Sequence, residues 1–166
     1  NQMPRLREIQ LKDLEKMHEW MNDPEVTESM AIGRYSHSKD EIAEFIKSSW
    51  NDKRNVHFAI VTDHDEYVGT VSLKNINLID RNAEYAIALH KDFWGSEYAR
   101  FATDRIIAYG FSKLNLYKIY LNVSVKNTRA NKFYEKYGFI LEGCFKGHLF
   151  VNGEMSDLNW YCIFKQ

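Results

Sequence analysis

The residue types that could support chemistry are concentrated between Asp92 and Phe139. Within this segment, Trp94–Arg100 has the pattern of a strand end, a glycine turn and the start of a helix. The first N–H groups of a helix lack intrahelical partners and lie at the positive end of the helix dipole, so such a turn can bind an anion. Taken alone, the segment is also explained as a plain strand-to-helix turn that binds nothing.

A second motif narrows this interpretation. Residues 127–139 read Asn-Thr-Arg-Ala-Asn-Lys-Phe-Tyr-Glu-Lys-Tyr-Gly-Phe, which has the form N-x-x-A-x-x-x-Y-x-K-x-G-F. This motif resembles the acetyl-CoA-binding half of the GNAT N-acetyltransferases. The resemblance implies the GNAT fold, an α/β (α+β) fold with a mixed sheet. It also implies an enzyme that moves acetyl from acetyl-CoA (coenzyme A) to a primary amine by direct attack.

The resemblance assigns the glycine turn to the pyrophosphate of acetyl-CoA. The family pattern is Gln-Gly-x-Gly-x-Ala, and residues 94–99 read Trp-Gly-Ser-Glu-Tyr-Ala. The second and sixth positions fit, whereas Trp94 and Glu97 depart from the pattern. Because backbone N–H groups bind the pyrophosphate, altered side chains are compatible with binding. Glu97 must then point to solvent, with Arg100 or Lys91 offsetting its charge.

The pantetheine arm is expected to lie between the two motifs. Asn127 matches the family asparagine that hydrogen-bonds this arm, and it is also a good helix N-cap. By resemblance, the backbone of Leu89 and His90 pairs with the pantetheine amides as an added strand would. His90 is either a second candidate base or a surface histidine. The predicted cofactor-binding residues are Leu89, His90, Trp94, Gly95, Ser96, Glu97, Tyr98, Ala99, Arg100, Asn127, Ala130 and Lys132.

Tyr134 matches the general acid of the family. A phenol with a pKa of about 10 stays protonated at neutral pH and can donate to a departing thiolate, whose conjugate acid has a pKa of about 8.5. Helical spacing also places Tyr134 on one stripe with Phe133 and Tyr137, so a core role is the alternative. Its register between Asn127 and Gly138 favours the catalytic role.

Removing a proton from the amine is the more costly requirement. An amine with a pKa of about 10.4 costs about 4–5 kcal/mol to present in its neutral form at pH 7. Glu84, on a strand with apolar residues on both faces, is the candidate base, acting through water. The alternative is a structural carboxylate that pairs with Arg81 or Lys74.

Different parts of the chain indicate different acceptors. Leu114–Leu121 and Phe150–Glu154 are similar to the spermidine and ribosomal-protein acetyltransferases, whereas Trp20–Val26 looks like the nucleotide-amino-sugar acetyltransferases. A protein N-terminus is therefore a third kind of acceptor. A CoA-binding module without catalysis is the alternative from another functional class.

The two kinds of small-molecule amine would use different residues. The carboxylates of Asp23, Glu25 and Glu28 could attract a polyamine, although a solvated loop explains them equally well. A nucleotide-linked amino sugar would use basic or aromatic contacts, which are available at Trp20, Arg34, Tyr35, His37 and Lys74. The predicted substrate-binding residues are Trp20, Asn22, Tyr35 and Glu84.

Hydrophobic periodicity predicts the elements that must position these residues, in the order β-α-α-β-β-β-α-β-α-β-β. The predicted strands are Leu6–Ile9, Val56–Val61, Tyr67–Leu73, Ala83–His90, Lys118–Val125, Phe139–Phe150 and Met155–Phe164. The predicted helices cover residues 11–21, a segment capped by Ser38, residues 98–113 and a segment opened by Asn127. Residues 25–37 read as irregular. The strand that carries Glu84 is expected to be central.

Composition limits the classes of function. The chain of 166 residues is expected to form one domain over residues 3–166. A net charge of −1 gives no sign of a nucleic-acid partner, and no apolar run suggests a membrane span. Cys144 and Cys162 are too few for a disulfide framework, which favours a reducing, cytoplasmic location. No metal site is expected, and the sequence leaves a homo-oligomer open.

Overall fold

The computed structural model describes residues 3–28, 30 and 36–166. A seven-stranded mixed sheet has the order β1-β2-β3-β4-β5-β7-β6, so β4 is central as predicted. The strands are β1 Arg5–Glu8, β2 Val56–Val61, β3 Tyr67–Asn77, β4 Asn82–Leu89, β5 Lys118–Ser124, β6 Ile140–Val151 and β7 Glu154–Phe164. The helices are α1 Leu14–Met21, α2 Pro24–Thr27, α3 Lys39–Ser49, α4 Tyr98–Ala108 and α5 Thr128–Tyr137.

Local sequence signals account for most of these boundaries. Ser38 caps α3, since its hydroxyl accepts a hydrogen bond from the Glu41 N–H at 3.1 Å. The turn between β6 and β7 has positive φ angles at Asn152 and Gly153, as an Asn-Gly hairpin requires. The segment predicted to be irregular instead contains the short helix α2. Asp23 caps this helix with its carboxylate, and a proline is favourable at a first helical position.

The central pair of strands opens a gap in the sheet. Strands β4 and β5 run parallel and, in the described part of the chain, pair only from Asn82 to Glu84 on the β4 side. The other edge of β4 stays paired with β3 as far as Leu89, which lies opposite Gly69. The last residues of β4 therefore present one backbone edge to an opening between β4 and β5.

Two helical layers cover opposite faces of the sheet. On the face of α4 and α5, the core includes Tyr85, Ile106, Tyr134 and Tyr161. On the face of α1 and α3, it includes Met17, Trp20, Ile42, Ile46 and Ala88. Since successive side chains of a strand point to opposite faces, Tyr85 faces α5 and Glu84 faces the other layer. No helix among the described residues is both long and apolar enough to cross a membrane.

Candidate active site

The glycine turn at the start of α4 has the geometry of an anion site. Gly95 has φ +74°, a left-handed conformation that glycine adopts without strain. The first bond of the helix runs from the Phe101 N–H to the Glu97 carbonyl at 3.0 Å. The N–H groups of the first helical turn therefore have no intrahelical acceptor and are available to a ligand. The Glu97 side chain is exposed to solvent, as binding of an anion here requires.

The two cations expected to offset Glu97 have other partners. The Lys91 ammonium lies 3.4 Å from the Asp23 carboxylate, and its pKa is raised by that hydrogen-bonded contact. The Arg100 guanidinium lies over the ring of Tyr137, 5.2 Å from its centroid. Lys91 is therefore engaged by another carboxylate, whereas compensation of Glu97 by Arg100 stays a prediction.

Trp94 is fixed in place by both its nitrogen and its ring. Its indole N–H donates to the Leu89 carbonyl at 3.1 Å. The Arg129 guanidinium lies over the indole, 3.7 Å from the ring centroid. Trp94 thus ties the end of β4 to the first turn of α5, a contact that the sequence did not reveal.

Placing a carboxylate at Gly95 should disrupt the anion site. We expect Gly95→Asp to raise the Kd for acetyl-CoA tenfold or more, about 1.4 kcal/mol of binding free energy, because the new charge would face the predicted position of the diphosphate. Gly95→Ala imposes a similar backbone strain without the charge, so calorimetry on the two variants separates repulsion from distortion. In contrast, Glu97→Gly should bind with unchanged or improved affinity. Equal affinity of wild type and Gly95→Asp would move the diphosphate elsewhere.

Asn127 begins α5 as its N-cap. Its side-chain oxygen accepts a hydrogen bond from the Ala130 N–H at 3.1 Å, which is the structural role foreseen for this residue. Asn131 holds the same turn, because its amide donates to the Ser124 carbonyl at 3.0 Å and to the Asn127 carbonyl at 2.8 Å. Ala130 packs against the core and Lys132 is exposed. Contact of these residues with the cofactor stays a prediction.

The prediction for His90 is wrong on two points. Its side chain is buried rather than on the surface, and Nε2 lies 2.7 Å from the Glu19 carboxylate. Its Nδ1 accepts a hydrogen bond from the Asp92 N–H, so Nε2 carries the ring proton and donates it to Glu19. Its backbone N–H already donates to the Val68 carbonyl at 2.8 Å, and its carbonyl accepts from Phe93. His90 therefore cannot pair with an added strand.

Backbone register identifies a residue that the sequence reasoning missed. Neighbouring residues of a strand direct their N–H and C=O groups to alternate edges. The backbone N–H of His90 points to β3. The N–H and C=O groups of Leu89 and Ile87 therefore point to the other edge of β4, toward the opening beside β5. The Leu89 carbonyl accepts from Trp94, which leaves the backbone of Ile87 as the group best placed for an extended ligand. No sequence pattern indicates this, since the edge depends on strand pairing.

Tyr134 lies in the aromatic core of the α5 face with 7 % of its surface exposed. Its ring contacts that of Tyr85, with 5.9 Å between the centroids, and burial raises its pKa above the usual value of 10.0. The Tyr85 hydroxyl lies 2.9 Å from Oγ1 of Thr103, whose hydroxyl donates to the Ala99 carbonyl at 2.7 Å. These bonds connect Tyr85, whose ring contacts Tyr134, to the first turn of α4. The predicted core position is observed, and catalysis by Tyr134 stays a prediction.

Glu84 lies on β4 with 19 % of its side chain exposed. Of its two predicted partners, Lys74 is the one observed, with 3.6 Å between Nζ and Oε2. The amides of Asn75 and Asn122 lie 3.3 and 3.5 Å from its two oxygens. The carboxylate is therefore held beside β5, on the face opposite Tyr134, and both alternatives for its role stay open.

The structure corrects Trp20 as an acceptor contact and gives Asn22 a structural role, while contact of Asn22 with the acceptor stays a prediction. Trp20 is a core residue with 6 % exposure, and its indole N–H donates to the Tyr67 hydroxyl at 2.9 Å. The side-chain amide of Asn22 bonds to the backbone of His37. It donates to the His37 carbonyl at 3.1 Å and accepts from the His37 N–H at 2.9 Å. Both side chains are engaged in structural bonds. Tyr35 lies outside the described residues.

A cavity of about 320 Å³ lies between the segment predicted to bind the acceptor and the segments predicted to bind the cofactor. It is lined by Glu25, Val26, Glu28, Trp94, Lys126, Asn127, Thr128 and Arg129. The carboxylates of the α2 segment thus face the first turn of α5 and the indole beside the glycine turn. Among the described residues, no group of His, Cys, Asp and Glu side chains could hold a metal ion.

Comparison with known proteins gives a consistent result. The family model described as an acetyltransferase (GNAT) domain matches residues 5–140. Spermidine N(1)-acetyltransferase of Vibrio cholerae is 33 % identical over 92 % of this chain and 88 % of that protein. The Escherichia coli K12 enzyme of the same name is 31 % identical over 97 % of this chain and 86 % of its own length.

A solved structure extends this similarity to three dimensions. Spermidine N-acetyltransferase from Vibrio cholerae in complex with CoA and spermine has a TM-score of 0.90 and 32 % sequence identity to this chain. The match covers 97 % of this chain and 95 % of that one.

Proposed function

Because the chain belongs to the GNAT family of acetyltransferases, we propose that it transfers acetyl from acetyl-CoA to a primary amine of a polyamine. The observation that carries the proposal is the cavity in which Glu25 and Glu28 face Trp94 and Asn127. A polyamine is a flexible polycation, so Glu25 and Glu28 on one side of the cavity would attract it, whereas Lys126 and Arg129 line the opposite side, where an anionic ligand would lie. The spermidine acetyltransferases that resemble this chain act on such molecules by their names.

The described residues fit an acetyl-CoA donor. Free N–H groups at the start of α4 suit its diphosphate, and the edge of β4 at Ile87 suits an extended amide-bearing arm. Asn127 lies in the cavity beside Trp94, where it can contact the same arm. When bound, acetyl-CoA supplies an activated thioester. The remaining tasks of orientation and proton transfer fall to side chains of this chain.

Glu84 and Tyr134 suit the two proton transfers. Both belong to elements next to the opening between β4 and β5, one from each face of the sheet. Glu84 would accept a proton from the acceptor ammonium through water, which leaves a neutral amine able to attack the thioester carbonyl. Tyr134 would donate its phenolic proton to the departing sulfur, since the raised pKa keeps this hydroxyl protonated at neutral pH.

The other acceptors find less support among the described residues. Of the five residues expected to contact a nucleotide-linked amino sugar, Trp20 is in the core and Lys74 pairs with Glu84. Arg34 and Tyr35 lie outside the described residues, and His37 bonds to Asn22 through its backbone. A peptide amine requires an open groove, and Asn22 instead holds the α2 segment against His37. A cytoplasmic location is part of the proposal, because Cys144 and Cys162 are free thiols.

Neutralising the acidic wall should weaken acceptor binding. We expect Glu25→Gln with Glu28→Gln to raise the KM for spermidine roughly tenfold, because two carboxylates no longer attract the cation, each worth about 0.5–1 kcal/mol at a surface. The KM for acetyl-CoA should change by less than about twofold. Glu44→Gln, at an exposed position of α3, is the matched control. A change confined to acetyl-CoA would contradict this placement of the acceptor.

The proposed activity is tested by release of free CoA thiol. Purified protein and acetyl-CoA would be incubated with spermidine, spermine, an amino sugar nucleotide, an aminoglycoside and a peptide with a free N-terminus. Polyamines should give the highest kcat/KM. A higher value with any other amine would reassign the acceptor, and no thiol release with any amine would contradict the proposed activity.

A further inference from the structure

Arg129 is placed differently from the other cations near the glycine turn. Its guanidinium lies on the Trp94 indole, and no carboxylate of the described residues lies within 4 Å of it. Desolvation lowers the pKa of Arg129, so the charge is partly shielded from water without being paired. Arg129 is exposed to solvent, so its unpaired guanidinium is accessible to an anionic ligand and can form charge-assisted hydrogen bonds with it.

The platform beneath Arg129 is rigid and borders the anion site. Trp94 immediately precedes Gly95, and its N–H is bonded to the Leu89 carbonyl, so the ring cannot turn freely. The guanidinium is therefore held beside the turn whose N–H groups are free. It also lines the cavity that contains Asn127.

The charges around the glycine turn indicate which cation could contact an anion bound there. Glu97 adds a negative charge where the family pattern has glycine, Lys91 is paired with Asp23, and Arg100 lies over Tyr137. A diphosphate carries negative charge that backbone dipoles alone neutralise only in part. Of the two cations that share the cavity with Trp94 in the described part of the chain, Lys126 pairs with Glu154, whereas Arg129, from α5, has no carboxylate partner.

We propose that Arg129, held on the Trp94 ring, binds the diphosphate of acetyl-CoA and compensates for Glu97. This inference rests on the proposed function, and it adds a binding residue from α5 to the turn before α4. The family pattern has glutamine at position 94. In this chain the Trp94 ring instead supports the guanidinium of Arg129.

Calorimetric titration with CoA tests this assignment without depending on turnover. Arg129→Gln should raise the Kd for CoA about tenfold or more, as expected for the loss of a charge-assisted contact. Arg129→Lys should recover part of the loss. Arg105→Gln is the matched control, because Arg105 also lies on an aromatic ring, that of Phe101, 5.1 Å from its centroid. It should bind CoA like wild type.

Dephospho-CoA separates the two phosphate groups that Arg129 could reach. This analogue keeps the diphosphate and lacks the 3′-phosphate, so the loss caused by Arg129→Gln should be the same with both ligands. A loss that disappears with dephospho-CoA would overturn the diphosphate assignment, as would a Kd for Arg129→Gln equal to that of wild type. If wild type itself fails to bind CoA, the proposed function fails as well.

Discussion

Replacing Tyr134 by Phe should lower kcat by about 10²–10⁴-fold and leave the affinity for acetyl-CoA nearly constant. The change removes one hydroxyl and keeps a ring that packs against Tyr85, Phe139 and Tyr161. Stability should fall by about 1 kcal/mol or less, because the ring packing is kept and only one hydroxyl of a buried residue is lost. The catalytic loss would then far exceed the structural one.

Steady-state kinetics and thermal unfolding on the same variants distinguish these effects. Tyr67→Phe is the matched control, since it removes another buried hydroxyl and leaves the Trp20 N–H without its acceptor. It should lower Tm at least as much as Tyr134→Phe and keep kcat within about threefold of wild type. If Tyr134→Phe also stays within about threefold, at a pH where chemistry limits turnover, Tyr134 is only a core residue.

The pH profile adds an independent check on Tyr134. Its pKa is raised by burial, so the protonated form persists to higher pH than for an exposed phenol. Activity of the wild type should therefore show no decline caused by this group between about pH 7 and pH 10. A decline that disappears in Tyr134→Phe would show that the hydroxyl ionises in this range, contrary to the structure.

Replacing Glu84 by Gln should lower kcat/KM for spermidine by about 10²–10³-fold at neutral pH. The substitution keeps the shape of the side chain and removes its ability to take a proton. Near pH 10 roughly a quarter of the acceptor amine is neutral without help, against less than about one part in a thousand at pH 7, given its usual pKa of about 10.4. The deficit of Glu84→Gln should therefore shrink steadily as the pH rises.

A structural carboxylate would behave differently. If Glu84 only pairs with Lys74, the loss would be independent of pH and Lys74→Met would reproduce it. Glu142→Gln is the matched control, because Glu142 also forms an ion pair from a strand, with Lys118 at 2.7 Å. It should leave the pH profile unchanged. A loss in Glu84→Gln that stays constant from neutral to alkaline pH would remove Glu84 from the proton-transfer role.

The sequence determined the elements of this protein and the local geometry of its turns. A hydrogen-bond cap, a helical stripe and a strand alternation each depend on residues a few positions apart, and such signals survive without tertiary context. Asn127 was correctly read as the N-cap of α5, and the Asn152 turn as a tight hairpin. The glycine turn before α4 was predicted from its own residues, because the direction of its backbone N–H groups depends on the local conformation.

The tertiary structure decided which groups those elements make available. Trp20 bonds to Tyr67, 47 residues away, and is therefore a core residue, and His90 bonds to Glu19 across 71 residues. No local pattern encodes these pairings, because they depend on how α1 packs against the sheet. The same holds for the edge that Ile87 presents, which is set by the register between β3 and β4. Arg129 reaches Trp94 only because the fold brings α5 beside the end of β4.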